Sequence, residues 1–211
     1  MADDDAHFYE PRQGHGLRHD PFNAIVGPRP IGWISTLSAD GVANLAPYSF
    51  FNAFNYVQPI IGFSTIGWKD SVANVAATGE FCWSLATKAL AQQMNLTCAP
   101  APPDIAEFDV AGLTRAPGRL VAPPRVLESP VNFECRLSQL IQLHGADGTL
   151  ANTWLVLGEV VAVHIDRAFL TDGVYETADA HPILRAGRLG DYAEIRPDAM
   201  FSMRRPGWPI D

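Results

Sequence analysis

Cysteine is scarce in this sequence, charge is sparse, and no long apolar run occurs. The three cysteines, Cys82, Cys98 and Cys135, are odd in number, widely spaced and form no Cys-x-x-Cys pair. That pattern argues against a disulfide framework or a cysteine-based zinc site and fits free thiols in a reduced, cytoplasmic setting. No stretch approaches the ~18 consecutive apolar residues of a membrane span, so no membrane association is expected. The opening MADDDAHFYEPRQGHG has neither a basic n-region nor an apolar h-region, so it does not read as a signal peptide. Only 18% of the residues are charged, and 23 acidic against 15 basic residues give a formal net charge of −8. A chain of that sign has no general attraction for nucleic acid, which is therefore not an expected partner. A phosphate-bearing ligand would have to be held by local donors against an unfavourable overall field.

Familiar catalytic motifs are missing too. No Gly-x-Gly-x-x-Gly follows a strand, and there is no P-loop, His-Glu-x-x-His or Gly-x-Ser-x-Gly. Any nicotinamide cofactor would bind without a Rossmann module. His7, His15 and His19 are dispersed in a polar N-terminal stretch without cysteine partners, so no metal site is expected.

What is present is an apolar fraction of 47% in 211 residues, enough for one well-buried domain. Five Trp and eleven Phe beside so little charge suggest apolar surface covered by a partner chain. Residues 1–21 read as an arm, 22–195 as one domain and 196–211 as a tail. Strands are predicted over Ile31–Leu37, Val42–Phe51 and Ile60–Thr65, the first two joined by an Asp40-Gly41 hairpin turn. Pro47 implies an edge or a bulge. Asp70 or Ser71 can cap a short helix that Gly79 stops, and Phe81–Ala86 follows as a strand. Thr87 can open a second helix through Leu96, and the Pro-rich residues 99–130 form an irregular excursion. Alternation of Val131, Phe133, Cys135 and Leu137 with polar residues predicts a long half-buried strand. Trp154–Ile165, apolar on both faces, reads as central in a sheet. The sum is a mainly antiparallel barrel or sandwich with small peripheral helices.

The segment RPIGWISTLSADGVANLAPYSFFNAFNYVQPIIGFSTIGWKDS, residues 29–71, carries the functional signal. Lys69-Asp70-Ser71 at a helix start offers unpaired N–H groups, a partial positive charge and a lysine to an anion, although the same residues also suit an ordinary cap. Ser35 and Thr36 point to opposite strand faces, so at most one lines a given pocket. Ser49, Phe51 and nearby backbone groups could bond a polyhydroxylated chain and the edge of a heteroaromatic ring, or simply be solvated hydroxyls over a core aromatic. His181, Arg188 and Tyr192 form a third group in a Gly-containing loop.

Together with GFSTIGWKDSVANVAATGEF, VAPPRVLESPVNFECRL, LVLGEVVAVHID and AGRLGDY, in that order over residues 22–195, this segment resembles the flavin reductase-like proteins. These are FMN-binding split-barrel proteins related to flavoredoxin and to the reductase component of nitrilotriacetate monooxygenase. The resemblance implies a six-stranded antiparallel Greek-key split β-barrel with peripheral α-helices, and a homodimer with FMN, rather than FAD, near the interface. It implies flavin reduction by NADH or NADPH, with reduced flavin passed to a partner monooxygenase or another acceptor. It also places Ser35 and Thr36 along the flavin, and Ala46, Tyr48, Ser49, Phe50, Phe51 and Asn52 against its ribityl and ring portions. Lys69, Asp70 and Ser71 fall at its phosphate, and His181, Arg188 and Tyr192 on the nicotinamide side. Relatives often carry a longer loop before Lys69, where this chain has only Ile66-Gly67-Trp68. The alternative on the same fold is a flavin- or haem-binding electron carrier without reductase activity.

Overall fold

The computed structural model describes residues 5–102 and 104–207, so the ends of the expected arm and tail, 1–4 and 208–211, lie outside the described residues. A short helix α1 (Phe22–Ile25) precedes the strands β1 (Arg29–Pro30), β2 (Gly32–Leu37), β3 (Ala43–Tyr48), β4 (Phe51–Asn55) and β5 (Ile60–Ile66). Helix α2 (Asp70–Thr78) leads into β6 (Glu80–Ser84). Helices α3 (Ala91–Leu96) and α4 (Glu107–Val110) and the two-residue strands β7 (Arg115–Ala116) and β8 (Arg125–Val126) follow. Two long strands, β9 (Val131–His144) and β10 (Leu150–Ile165), precede β11 (Leu170–Thr171), β12 (Val174–Tyr175), β13 (Ile183–Arg185) and β14 (Tyr192–Glu194).

Seven strands form one sheet in the order β3-β2-β6-β9-β10-β5-β4, every neighbouring pair antiparallel. Its two edge strands, β3 and β4, are separated in sequence by Ser49 and Phe50 alone. The three Cα steps from Tyr48 to Phe51 span at most ~11 Å, far less than the width of seven strands, so the sheet must curl until its edges approach. The Tyr48 ring of β3 accordingly lies 4.8 Å from that of Phe63 on β5. No ladder joins β3 to β4, so the barrel is split. The predicted single strand over Val42–Phe51 is thus two strands at opposite edges, and the sheet runs to seven strands.

Alternation sorts the side chains of β2 between two cores. Ile34 faces the barrel interior with Phe63, Phe81, Val156 and, from α2, Val72 and Val75. Trp33 packs outside with Leu45, Met94, Phe108 and Val126, beneath α3, α4 and the Pro-rich excursion. Gly79 ends α2 at φ 73°, the left-handed stop its sequence predicts. The second helix begins at Ala91 rather than Thr87, which instead accepts from the Leu90 N–H in a preceding turn.

The predicted half-burial of β9 holds only in part. Asn132 and Glu134, on its polar side, are buried as fully as Val131 and Cys135, because the excursion folds over them. Glu134 accepts from the backbone N–H groups of Arg119 (2.8 Å), Leu120 (2.6 Å) and Val121 (3.1 Å), and its other partner is His164 Nε2 at 2.5 Å. Burial alone pushes the Glu134 carboxyl up, but these bonds outweigh it and hold the group down at about 2.

A carboxyl held below its unfolded value stabilises the fold above the unfolded pKa and loses that contribution as pH falls through the folded one. Glu134 therefore contributes fully above about pH 4.5 and progressively less towards pH 2, a total of roughly 3 kcal/mol. Urea unfolding of Glu134→Gln at pH 7 should show a loss of about 2–4 kcal/mol, and the gap to the parent should narrow towards pH 2. A pH-independent gap would contradict the role given to the carboxylate.

Candidate functional site

A half-polar cleft of about 520 Å³ opens where the start of α2, strand β3 and the chain after α3 converge. Ala46, Tyr48, Lys69, Asp70 and Ser71, all singled out from the sequence, line it together with Asn44, Glu107 and residues 97–101. Of the 97–101 wall, residues 99–101 belong to the stretch that the sequence marks only as irregular and Pro-rich. The wall is fixed by Trp33, whose Nε1 donates to Thr97 Oγ1 at 3.0 Å, while Thr97 Oγ1 donates to the Met94 carbonyl at 2.7 Å.

Buried polar groups hold the floor of the cleft rigid. Tyr48 donates its hydroxyl to Ser71 Oγ (2.8 Å), and Ser71 Oγ donates to Asn44 Oδ1 (2.7 Å). Asn44 Nδ2 then donates to Glu107 Oε1 (3.1 Å), whose other oxygen accepts from the Leu45 N–H (2.8 Å). Burial raises the Tyr48 phenol to about 12, with Asp70 and Glu107 adding to the rise against the Ser71 bond, so it stays a neutral donor. Asn74 Nδ2 donates to Thr36 Oγ1 at 3.0 Å, tying α2 to β2.

This network decides what the predicted hydroxyls can do. Ser71 is only 1% exposed and its proton is committed to Asn44, so it positions the helix rather than presenting a free donor. Thr36 is likewise buried and committed to α2. Ser35 faces the opposite side of β2, donating to the Pro124 carbonyl, and does not line the cleft. What remains for an anion is the helix start itself. The Lys69 N-cap makes no side-chain cap bond, and neither Asp70 nor Ser71 supplies one. The first N–H groups of α2 therefore have no intrahelical partner beside an exposed lysine.

Cys98, on the cleft wall, is pushed up by burial, while Arg185 and Lys69 act on it in the opposite direction. Arg185 lies over the Tyr192 ring at 4.9 Å, so the β13–β14 hairpin brings a second cation and an aromatic to this side. The predicted trio is otherwise dispersed. His181, at φ 48°, meets Glu194 Oε1 through Nδ1 at 2.7 Å and lines a separate cleft with Lys88, Asp166 and Asp179. Arg188 belongs to the hairpin loop between β13 and β14.

The remaining predicted residues follow the tight β3–β4 connection. Ser49 accepts at its carbonyl from Arg29 Nε (3.0 Å), and the Arg29 guanidinium lies 5.4 Å from the Phe50 ring. Phe51 turns away from the cleft into an apolar cavity that Asn52 also borders, and it stacks there on Trp83 at 5.7 Å with 10° between planes. Trp68, in the short loop before α2, meets Trp154 edge-on at 5.3 Å. Sequence reasoning missed Asn44, Glu107 and Arg29. The alternation that separates Asn44 from Ala43 and Leu45 was a usable signal for the first, whereas the long-range partners of the other two left none.

Comparison with known proteins adds a family to this geometry. The sequence model of the flavin reductase like domain matches residues 27–182. Relatives include an uncharacterized protein of Aquifex aeolicus, 34% identical over 172 residues that cover 79% of this chain and 83% of that one. Another, from Halalkalibacterium halodurans, is 32% identical over 200 residues, 90% of this chain and 92% of the other. Nitrilotriacetate monooxygenase component B from Bacillus cereus superposes with a TM-score of 0.78 at 27% identity, over 86% of this chain and 91% of that one. Flavoredoxin of Desulfovibrio vulgaris shares the fold, with a TM-score of 0.72 at 21% identity over 84% and 90% of the two chains.

Removing the central hydroxyl tests the network directly. Ser71→Ala should lower the unfolding free energy by about 1–3 kcal/mol, because it leaves buried Asn44 and Tyr48 groups short of partners. A loss below ~0.5 kcal/mol in urea unfolding would mean the network does not hold α2.

Proposed function

The chain belongs to the flavin reductase like domain family, and from that premise we propose that it is an FMN-dependent oxidoreductase reduced by NADH or NADPH. The observation that carries the assignment to this cleft is the uncapped start of α2 beside Lys69. Such a helix start suits a phosphate, since the free N–H groups and the dipole both favour negative charge. A monophosphate on a ribityl chain fits a site with one lysine and one helix terminus. FMN is accordingly preferred over FAD, and the net charge of −8 makes these local donors all the more necessary.

When bound, FMN would supply the two-electron chemistry, taking hydride from the nicotinamide. The residues of this chain hold and orient. Lys69 and the N–H groups of Asp70 and Ser71 would receive the phosphate, and Ala46 and Tyr48 would flank the ribityl chain. Backbone groups of Ser49, Phe50 and Asn52, further along the chain, would be offered to the ring. The Tyr48–Ser71–Asn44–Glu107 network keeps the helix start in register without a proton-transfer role. Arg185 and Tyr192, with Arg188 in the loop between their strands, are assigned to the nicotinamide side, whereas His181 lines a separate cleft. Exposed Phe54, Tyr56, Val57, Ile66 and Trp68 support a homodimer, because so much apolar surface suits burial against a second subunit. Reduced flavin would pass to a partner monooxygenase or another acceptor.

Anaerobic addition of NADH or NADPH to FMN-loaded protein should bleach the flavin absorbance. Colour that persists until another redox protein is added would instead favour the electron-carrier reading. Lys69→Ala should weaken FMN by about tenfold or more and riboflavin far less, since only FMN carries the phosphate. Equal weakening of both ligands would remove Lys69 from the phosphate site. Sedimentation of the purified chain should give a dimer.

A further inference from the structure

We propose that the β13–β14 hairpin reads the far end of the electron donor, taking its adenine on Tyr192 and an adenosine 2′-phosphate on Arg188, so that the chain uses NADPH in preference to NADH. The proposal rests on the flavin reading above and chooses between the two donors which that reading leaves open.

Three side chains stand in one row across the β1–β13–β14 sheet, because Arg29 pairs with Arg185 and Arg185 with Tyr192 in the strand register. Like charges set directly opposite each other are destabilising. Arg29 is buried and gives its donors to the Asn23, Val26 and Ser49 carbonyls. Arg185 gives Nη1 to the Asp191 carbonyl (2.8 Å) and Nη2 to the Leu189 carbonyl (2.5 Å), and its guanidinium lies over the Tyr192 ring. Two cations thus sit side by side in a chain of net charge −8, and among the described residues neither has a carboxylate partner. Positive charge gathered in this way attracts an anion.

The same bonds brace the loop that carries Arg188. The Ala186 N–H donates to the Asp191 carbonyl at 3.0 Å and closes the hairpin. Gly187 packs so closely on α1 that a Cβ there would lie 3.1 Å from that of Ala24. Beyond it the tip is exposed, Leu189 by 99%. Arg188 therefore stands exposed on a braced support, with no ion-pair partner among the described residues. Its planar fork matches a phosphate through two parallel bonds. Tyr192 remains 41% exposed beside it, which leaves ring surface for a flat base. A base and a phosphate held side by side describe the adenosine 2′-phosphate end of NADPH, where NADH has only a hydroxyl. Arg29 ties this hairpin to the cofactor cleft, since its Nε holds the Ser49 carbonyl one residue beyond Tyr48.

Isothermal titration of the flavin-free full chain with adenosine 2′,5′-bisphosphate and with 5′-AMP, which lacks only the 2′-phosphate, tests the assignment. The bisphosphate should bind saturably and about tenfold or more tighter than AMP. Arg188→Ala should erase that gap and leave the circular dichroism unchanged, because the side chain is exposed. Tyr192→Ala should weaken both probes together, by about fivefold or more. In the FMN-loaded chain kcat/KM should be higher for NADPH than for NADH, and Arg188→Ala should cancel the difference. Absence of saturable bisphosphate binding, equal affinity for AMP, a gap that survives Arg188→Ala, indifference of both probes to Tyr192→Ala, or a higher kcat/KM for NADH would each overturn the proposal. The probes carry neither flavin nor nicotinamide. A flavin that neither donor bleaches would therefore remove the reductase reading while the titrations still judge the hairpin, and bleaching without a gap between the probes would remove the proposal alone.

Discussion

Everything in this molecule answers to one constraint: the two edges of a seven-stranded sheet are tied together by two residues. Ser49 and Phe50 cannot reach across an open sheet, so closure is compulsory, and the surrounding chemistry makes it tolerable. Arg29 is the clamp. Its Nη1 donates to the Asn23 (2.5 Å) and Val26 (2.6 Å) carbonyls while its Nε holds the Ser49 carbonyl. One guanidinium thereby fixes the approach to β1 and the link between the edges. Gly32 completes the closure from the other side, because a Cβ there would lie 2.8 Å from the Phe51 ring. Only a residue without a side chain lets β4 come so near to β2. The same short link separates two environments, since Tyr48 enters the polar cleft and Phe51 the aromatic cavity three residues later.

The second organising theme is the use of buried polar groups as fasteners. Glu134 gathers three consecutive N–H groups of the Pro-rich excursion, a segment with little regular structure to satisfy its own backbone. Glu107 does the same on a smaller scale, joining Asn44 and the Leu45 N–H beneath α4. Partnering of this kind makes buried carboxylates tolerable, and truncating one partner would strand the rest. The hydroxyls of Ser35, Thr36 and Ser71 belong to this class of fastener.

Much of the architecture was legible in the residues. Asp40-Gly41, Gly79 and the alternation from Val131 onward mark a hairpin, a helix stop and a long strand, and all three occur. Grouping of Lys69, Asp70 and Ser71 with Ala46 and Tyr48 followed from the family resemblance, and one cleft brings them together. What stayed hidden depended on contacts between distant parts of the chain. The break of Val42–Phe51 into two edge strands has no local signature beyond Pro47, because it is imposed by closure. Burial of Glu134 contradicts its polar character until the excursion covers it. The internal use of Ser71 is invisible without Asn44 and Tyr48, and the separation of His181 from Tyr192 arises from the β13–β14 hairpin.

The Pro-rich excursion is fastened at three places that have different owners. Near its start, the 97–101 segment is pinned through Thr97 to Trp33 and forms a wall of the cleft. Further along, residues 119–121 are pinned to Glu134 on the barrel. Between these two, Glu107 is bonded to Asn44 and the Leu45 N–H, and Phe108 is buried in the core with Trp33. Only the short stretches between these fastenings are left for evolution to lengthen, shorten or recompose while the barrel remains a constant chassis. Diversification within such a lineage should be concentrated there.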